Sequence, residues 1–121
     1  MARDYRKLRV FVLADGLVAD VYRLTQSLPS EERYGLQAQI RRAVVSAVVN
    51  IVEGSARRTT RDYLYFLSVS LGSSTETWYL LGLCVRLGML AESDRSPLEP
   101  RFRELFRGLQ KLIDALEDSH P

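Results

Sequence analysis

The chain has 121 residues, 46% hydrophobic and 26% charged, with seven glycines and four prolines; this suits one domain with its own core and excludes a disordered chain or two domains. The formal net charge of +2 hides an asymmetry, because residues 1–61 sum to +5 and the remainder to −3. No apolar run approaches the roughly 20 residues of a membrane helix, and the N-terminus is charged where a signal peptide turns apolar, so a cytoplasmic protein without membrane contact is expected. Only Lys7 and Lys111 are lysines. The cations are therefore almost all guanidinium groups, which fork onto phosphate or carboxylate where an ammonium acts as a point charge.

Helical spacing is expected over residues 3–27. Leu8, Phe11, Val12, Ala19 and Tyr22 form one apolar stripe, and Val10, Leu13, Leu17, Val21 and Leu24 a second on the opposite side. An outer helix of a monomeric bundle buries one face, so the second stripe points to a subunit interface or an unusually enclosed helix. Asp15 falls on the first stripe, either paired there or at an edge reaching water. Pro29 ends this helix, and Ser30 is placed to cap the next, with Glu31 and Glu32 at its positive dipole end.

The second helix, residues 31–56, carries Leu36, Ile40, Ala43, Val44, Ala47 and Ile51 on its core face. Val45, Val48, Val49 and Val52 cover much of the rest, leaving Gln39, Arg42, Ser46, Asn50, Glu53 and Arg57 as a narrow polar stripe. So apolar a helix belongs in the middle of an assembly. Valine at this density is a poor helix former, so packing between elements and subunits must hold it helical.

Thr59 is placed to cap the third helix, residues 60–87, with Asp62 three positions on. Its main face is Tyr63, Phe66, Leu67, Trp78, Leu81 and Val85, with Ser70, Ser74 and Thr77 as a small waist that permits close approach of the second helix. Cys84, the single cysteine, lies among leucines and reads as a buried thiol. Gly88 stands where a left-handed C-terminal cap is expected. Ser96, Pro97 and Glu99 then form a start signal for the fourth helix, residues 97–117. One stripe dominates it: Leu98, Phe102, Leu105, Leu109, Leu112 and Leu116, widened by Phe106 and Ile113. The tail from Glu117 is expected to fray.

The chemistry of an enzyme is missing from this pattern. The only histidine, His120, is next to the last residue and far from any serine or cysteine partner. Glu53 and Glu76 could face inward, but no Glu-x-x-His motif supplies the imidazoles of a metal site. No glycine-rich phosphate loop follows a strand. A non-enzyme with no catalytic residue, metal or cofactor is expected.

The run YGLQAQIRRAVVSAVVNIVEGSAR, followed by YLYFLSVSLGSSTE, resembles the four-helix-bundle family of proteins encoded in intervening sequences of 23S rRNA genes. That family includes the accessory variability determinants of diversity-generating retroelements. The matching positions are Tyr34, Gly35, Leu36, Gln39, Arg42, Ala43, Asn50, Ile51, Glu53, Gly54, Phe66, Leu67, Gly72, Ser73 and Glu76. Ser70 stands where the family usually has alanine, and Leu71 where a basic residue is common. The resemblance implies an all-α, antiparallel up-down four-helix bundle over residues 1–121, assembling as a homo-oligomer, by analogy a homopentamer with a central pore. Retroelement members engage RNA and a reverse transcriptase through a basic surface.

Two functions are carried forward. In the first the protein is a nucleic-acid-binding accessory, RNA being the expected partner, with Arg41, Arg57, Arg58, Arg61, Arg3, Arg6, Lys7 and Arg9 as phosphate contacts. In the second it is a protein–protein scaffold whose arginines pair with Asp62, Glu31 or neighbouring subunits. The polar positions Gln39, Arg42, Asn50, Glu53, Ser73 and Glu76 are expected to form a structural network between the second and third helices. Arg42 would neutralise the glutamates and Asn50 would bond Ser73 or a backbone group. Removing Glu53 would then cost on the order of 3 kcal/mol by leaving Arg42 buried and unpaired.

Overall fold

Periodicity of 3.6 governs the whole described chain. The computed structural model describes residues 3–119, and four long helices run through them: α1 (Arg9–Thr25), α2 (Leu36–Ser55), α3 (Thr60–Arg86) and α4 (Glu99–Asp118). Tight helical turns at Tyr5–Lys7, Ser30–Glu32 and Ser96–Leu98, and one α-turn at Glu92–Arg95, join or precede them; among the described residues there is no strand. His120 lies outside the described residues.

The helix ends show which local signals operate. Asp4 accepts the Arg6 N–H and caps a separate turn, and extended Leu8 then interrupts it, so α1 begins at Arg9 rather than near residue 3. Ser30 does not cap α2. Its hydroxyl meets the Glu31 carboxylate at 3.2 Å, and the longer Glu32 side chain reaches forward instead, Oε1 accepting the Leu36 N–H at 3.1 Å. Thr59 caps α3 as expected, Oγ1 accepting the Asp62 N–H at 3.1 Å. At the other end Gly88 adopts φ +78°, the Met89 N–H bonds the Cys84 carbonyl at 2.9 Å and the Gly88 N–H bonds that of Val85 at 3.0 Å. This pair of bonds is a Schellman cap, which needs a left-handed residue. The Ser96 start signal is overridden: Ser96 has helical dihedrals and makes no capping bond, and Glu99 pairs with Arg103. The last helix runs through Asp118, one residue past the expected end at Glu117.

Each helix packs on its chain neighbours, and α4 closes the bundle on α1. Cross-helix pairs fix the directions. Thr25 meets Gln37 and Arg41, Gln39 meets Glu76 while Ser46 meets Ser73, and Arg9 meets Glu104 while Asp20 meets Arg101. High numbers on one helix face low numbers on the next, so these pairs run antiparallel.

Of the two apolar stripes on α1, the core takes Val10, Leu13, Leu17 and Val21. The other divides: Leu8 and Phe11 are half-buried against the core, while Val12 is 50% exposed and Tyr22 and Ala19 also face solvent. Asp15 is exposed and reaches water. On α2 the expected core face is buried apart from half-buried Leu36, while Val49 remains 41% exposed. Between α2 and α3 the waist forms as expected. Ser70, Ser74 and Thr77 are buried, Ser70 Oγ donates to the Ala47 carbonyl at 2.6 Å, and the other two hydroxyls bond carbonyls one turn back in α3. Deep core positions such as Ile51, Leu67, Leu81 and Leu109 each contribute about 1.5–3 kcal/mol by leaving water. Trp78 lies 5.0 Å from buried Phe102, tying α3 to α4.

Two outcomes follow. Replacing Gly88 by alanine forces a side chain into the left-handed region and should lower unfolding stability by about 1 kcal/mol, read as a reduced urea midpoint at constant m-value. Burial, reinforced by the Glu32 charge, pushes the Cys84 thiol above its ordinary range. A thiol reagent at pH 8 should therefore react with native protein many times more slowly than with protein in denaturant.

Candidate nucleic-acid interface

Antiparallel packing brings the N-terminal turn beside the α2–α3 connection, so Arg3, Lys7, Arg57, Arg58 and Arg61 lie at one end of the bundle. Arg3 is the link: its Nη1 donates to the Arg57 carbonyl at 3.0 Å, and its guanidinium lies 4.2 Å from the Tyr63 ring centroid. Arg57 stacks over Phe66 at 4.8 Å and donates from Nε to the Glu53 carbonyl at 3.2 Å. Gly54 permits this join, because a Cβ there would meet Phe66 Cβ at 3.0 Å and Tyr63 Cδ1 at 3.1 Å. Arg58 and Arg61 follow, both exposed. Lys7 is exposed at the end of the N-terminal turn. Among the described residues, Lys7, Arg58 and Arg61 have no side-chain hydrogen bond or ion pair.

The remaining candidates are engaged inside the chain. Arg6 bonds Asp4 at 3.0 Å and Arg9 bonds Glu104 at 2.9 Å. Each pairing holds the carboxyl below its usual range and raises the arginine, the hydrogen bond being the largest cause. Arg41 stands apart from the cluster. It is half-buried near the C-terminus of α1, with Nε donating to Thr25 Oγ1 and Nη2 to the Tyr22 carbonyl, both at 3.0 Å, and its guanidinium 4.4 Å from the Tyr22 ring. That guanidinium satisfies helix-end groups and neutralises the negative end of a dipole.

The polar network between α2 and α3 exists, with a different centre from the one expected. Ser46 and Ser73 hydroxyls meet at 2.9 Å, and Asn50 Nδ2 donates to the Ser46 carbonyl at 2.8 Å and its hydroxyl at 3.0 Å. Gln39 Nε2 donates to Glu76 Oε2 at 3.3 Å. Asn50 thus reaches Ser73 only through Ser46. Among the described residues Arg42 pairs with neither Glu53 nor Glu76, and all three are exposed, so the buried ion pair is not there. The reason is geometric: the α2–α3 seam is closed by small side chains, which leaves the long ones outside. Ser46 already stood on the polar stripe four residues before Asn50, and that spacing was the available signal. Asp20, shared by Arg23 and Arg101, had only its i,i+3 partner legible in sequence.

An open, mainly apolar groove of about 500 Å³ lies between α1 and α2, lined by Tyr22, Arg41, Arg42, Val45, Ser46, Val49 and Asn50. Among the described residues no group of three or more His, Cys, Asp or Glu side chains could hold a metal ion, and no helix is long and apolar enough to cross a membrane.

The fold is that of a four-helix-bundle protein with an arginine cluster at the α2–α3 connection. The model of the 23S rRNA-intervening sequence protein family matches residues 6–111, and the chain belongs to that family. A solved structure with the same fold is a protein of unknown function from the S23 ribosomal protein family of Bacteroides thetaiotaomicron. It is 22% identical, with a TM-score of 0.79 over 87% of this chain and 95% of that one. A search of the curated proteins finds no match.

The corrected network makes opposite demands on two variants. Glu53→Ala should change unfolding stability by less than about 0.5 kcal/mol. Ser46→Ala, which strips Asn50 and Ser73 of a part-buried partner, should cost about 1 kcal/mol. Denaturant melts of the two variants side by side check the ranking.

Proposed function

We propose that this protein is a non-enzymatic, oligomeric accessory protein that binds RNA through the arginine-rich end of its bundle. Within the retroelement branch of the family it would assist a reverse transcriptase. The observation that carries this reading is the set of exposed cations Lys7, Arg58 and Arg61 at the end of the bundle where Arg3 meets Arg57. Phosphate oxygens would supply the acceptors these groups lack, and counterion release would supply much of the affinity. Self-association is supported by Val12, Tyr22 and Val49, which leave an apolar face on α1 and α2 around the groove between them. A ring of five comes from the family resemblance. A second reading, a protein–protein scaffold without nucleic acid, draws on the internal partners that Arg6, Arg9 and Arg41 already have.

The two readings part on salt. For RNA binding, titration of a labelled single-stranded RNA should give an affinity that falls steeply with ionic strength. The combined Lys7→Gln, Arg58→Gln and Arg61→Gln variant should weaken it at least tenfold and flatten the log–log salt slope by about 2. Absence of binding at low salt, with mass by light scattering still above that of the monomer, would leave the scaffold reading. A reverse transcriptase gene beside this one would support the retroelement role.

A further inference from the structure

The outward face of α3 carries a pattern that neither the core nor the arginine-rich end uses. Tyr65, Gly72 and Tyr79 recur at seven-residue intervals, so they share one side of the helix, opposite buried Tyr63, Leu67, Ser70 and Leu81. Tyr65 is 65% exposed and Tyr79 57% exposed. At 1.5 Å per residue the two rings are spaced about 21 Å apart along the helix axis. Arg61 lies one turn before the first tyrosine, and Arg86 lies seven residues after the second, its guanidinium 5.5 Å from the Tyr79 ring.

Gly72 is the informative residue. Glycine inside a helix costs about 1 kcal/mol relative to alanine. A Cβ at this position would meet nothing within 4 Å, whereas one at Gly54 would press on Phe66 and Tyr63. Within the chain, then, nothing near position 72 requires the missing side chain; a partner lying close against the backbone between the two rings does. Of the exposed carboxylates of α3, Glu76 is drawn toward α2 by Gln39, and Asp62 lies at the helix start beside Arg61.

We infer that this face of α3 is a stacking platform for single-stranded RNA, with bases on Tyr65 and Tyr79, phosphates on Arg61 and Arg86, and the strand passing close over Gly72. The inference rests on the RNA-binding reading above and extends its footprint from the end of the bundle along its side through Arg61. Charge opposes pairing of this stripe with the same stripe of a second copy. Parallel self-pairing of the stripe sets Arg61 on Arg61 and Arg86 on Arg86. Antiparallel pairing about Gly72 brings Arg86 to the start of α3, beside Arg58 and Arg61. Either arrangement opposes like charges at the ends, while a polyanion with flat bases meets cations at the ends and rings between them. Base–aromatic stacking tolerates any sequence, because every base has a π-face.

The test is anisotropy titration of fluorescein-labelled oligouridine, twelve nucleotides long, with the full chain and its variants. The double variant Tyr65→Ala/Tyr79→Ala should bind about 30-fold more weakly with an unchanged salt slope, and Tyr65→Phe/Tyr79→Phe should stay within about twofold of the parent. Gly72→Leu should weaken binding about tenfold while raising the melting temperature. Parent-like binding by the double alanine variant, with the Lys7, Arg58 and Arg61 variant still impaired, overturns the platform and leaves the basic end standing. A drop in particle mass for the double alanine variant without RNA assigns the stripe to a subunit interface and overturns it too. No binding by the parent at low salt overturns both.

Discussion

The approach of α2 to α3 is the constraint on which the rest of the bundle depends. Ala43, Ala47 and Gly54 on one side, with Ser70, Ser74 and Thr77 on the other, leave too little side chain to hold the backbones apart. Close contact of this kind traps hydroxyls away from water, and each must find an acceptor or cost the desolvation of an orphan polar group. Ser70 finds one across the seam on Ala47, and Ser74 and Thr77 turn to their own helix. Once the seam is closed, the larger side chains have only two places to go: inward, where Leu67, Leu81 and Ile51 fill the centre, or outward, where Tyr65, Tyr79 and Arg42 stand in solvent.

Arginine is used here as a flat group as much as a charged one. Among the described residues five guanidinium groups lie over aromatic rings, from Arg95 on Trp78 at 3.6 Å to Arg86 on Tyr79 at 5.5 Å. Lysine would forfeit most of each stack, because its charge is compact and strongly hydrated. The excess of arginine over lysine therefore has a physical reason in the fold itself, and the half-buried Arg41 and Arg95 are not at liberty to meet a polyanion. Arg41 shows the distinction: counted by charge it belongs with the basic cluster, yet its donors close the end of α1.

Helix number, the waist of α3, the Gly88 cap and the single buried thiol were all legible in the residues, because each depends on spacing within one element. What could not be read was which of the two stripes on α1 faces inward. Both have helical periodicity, and only the positions of α2 and α4 choose Val10, Leu13, Leu17 and Val21 over Val12 and Tyr22. The capping serines failed for a related reason. Ser30 and Ser96 had the right chemistry, but a longer acid, Glu32, reached the start of α2, and the chain entered α4 through a continuous helical turn. The polar network was placed on the correct two helices with the wrong hub, since rotamer directions and the depth of the seam decide whether Arg42 or Ser46 reaches across.

The Arg95 guanidinium ties the α3–α4 connection back to α3. It presses on Trp78, donates toward Glu92 and the Trp78 carbonyl, and keeps its Nε buried without a partner among the described residues. It does so in space left by Gly82, where a Cβ would come within 3.0 Å of Nη2. Positions 82 and 95 are thus not free to vary independently. A lineage that acquires a side chain at 82 does so at the expense of the stack on Trp78, and one that loses the arginine leaves a hollow that a larger residue at 82 can fill. Sequences drifting from this one should change at the two positions together.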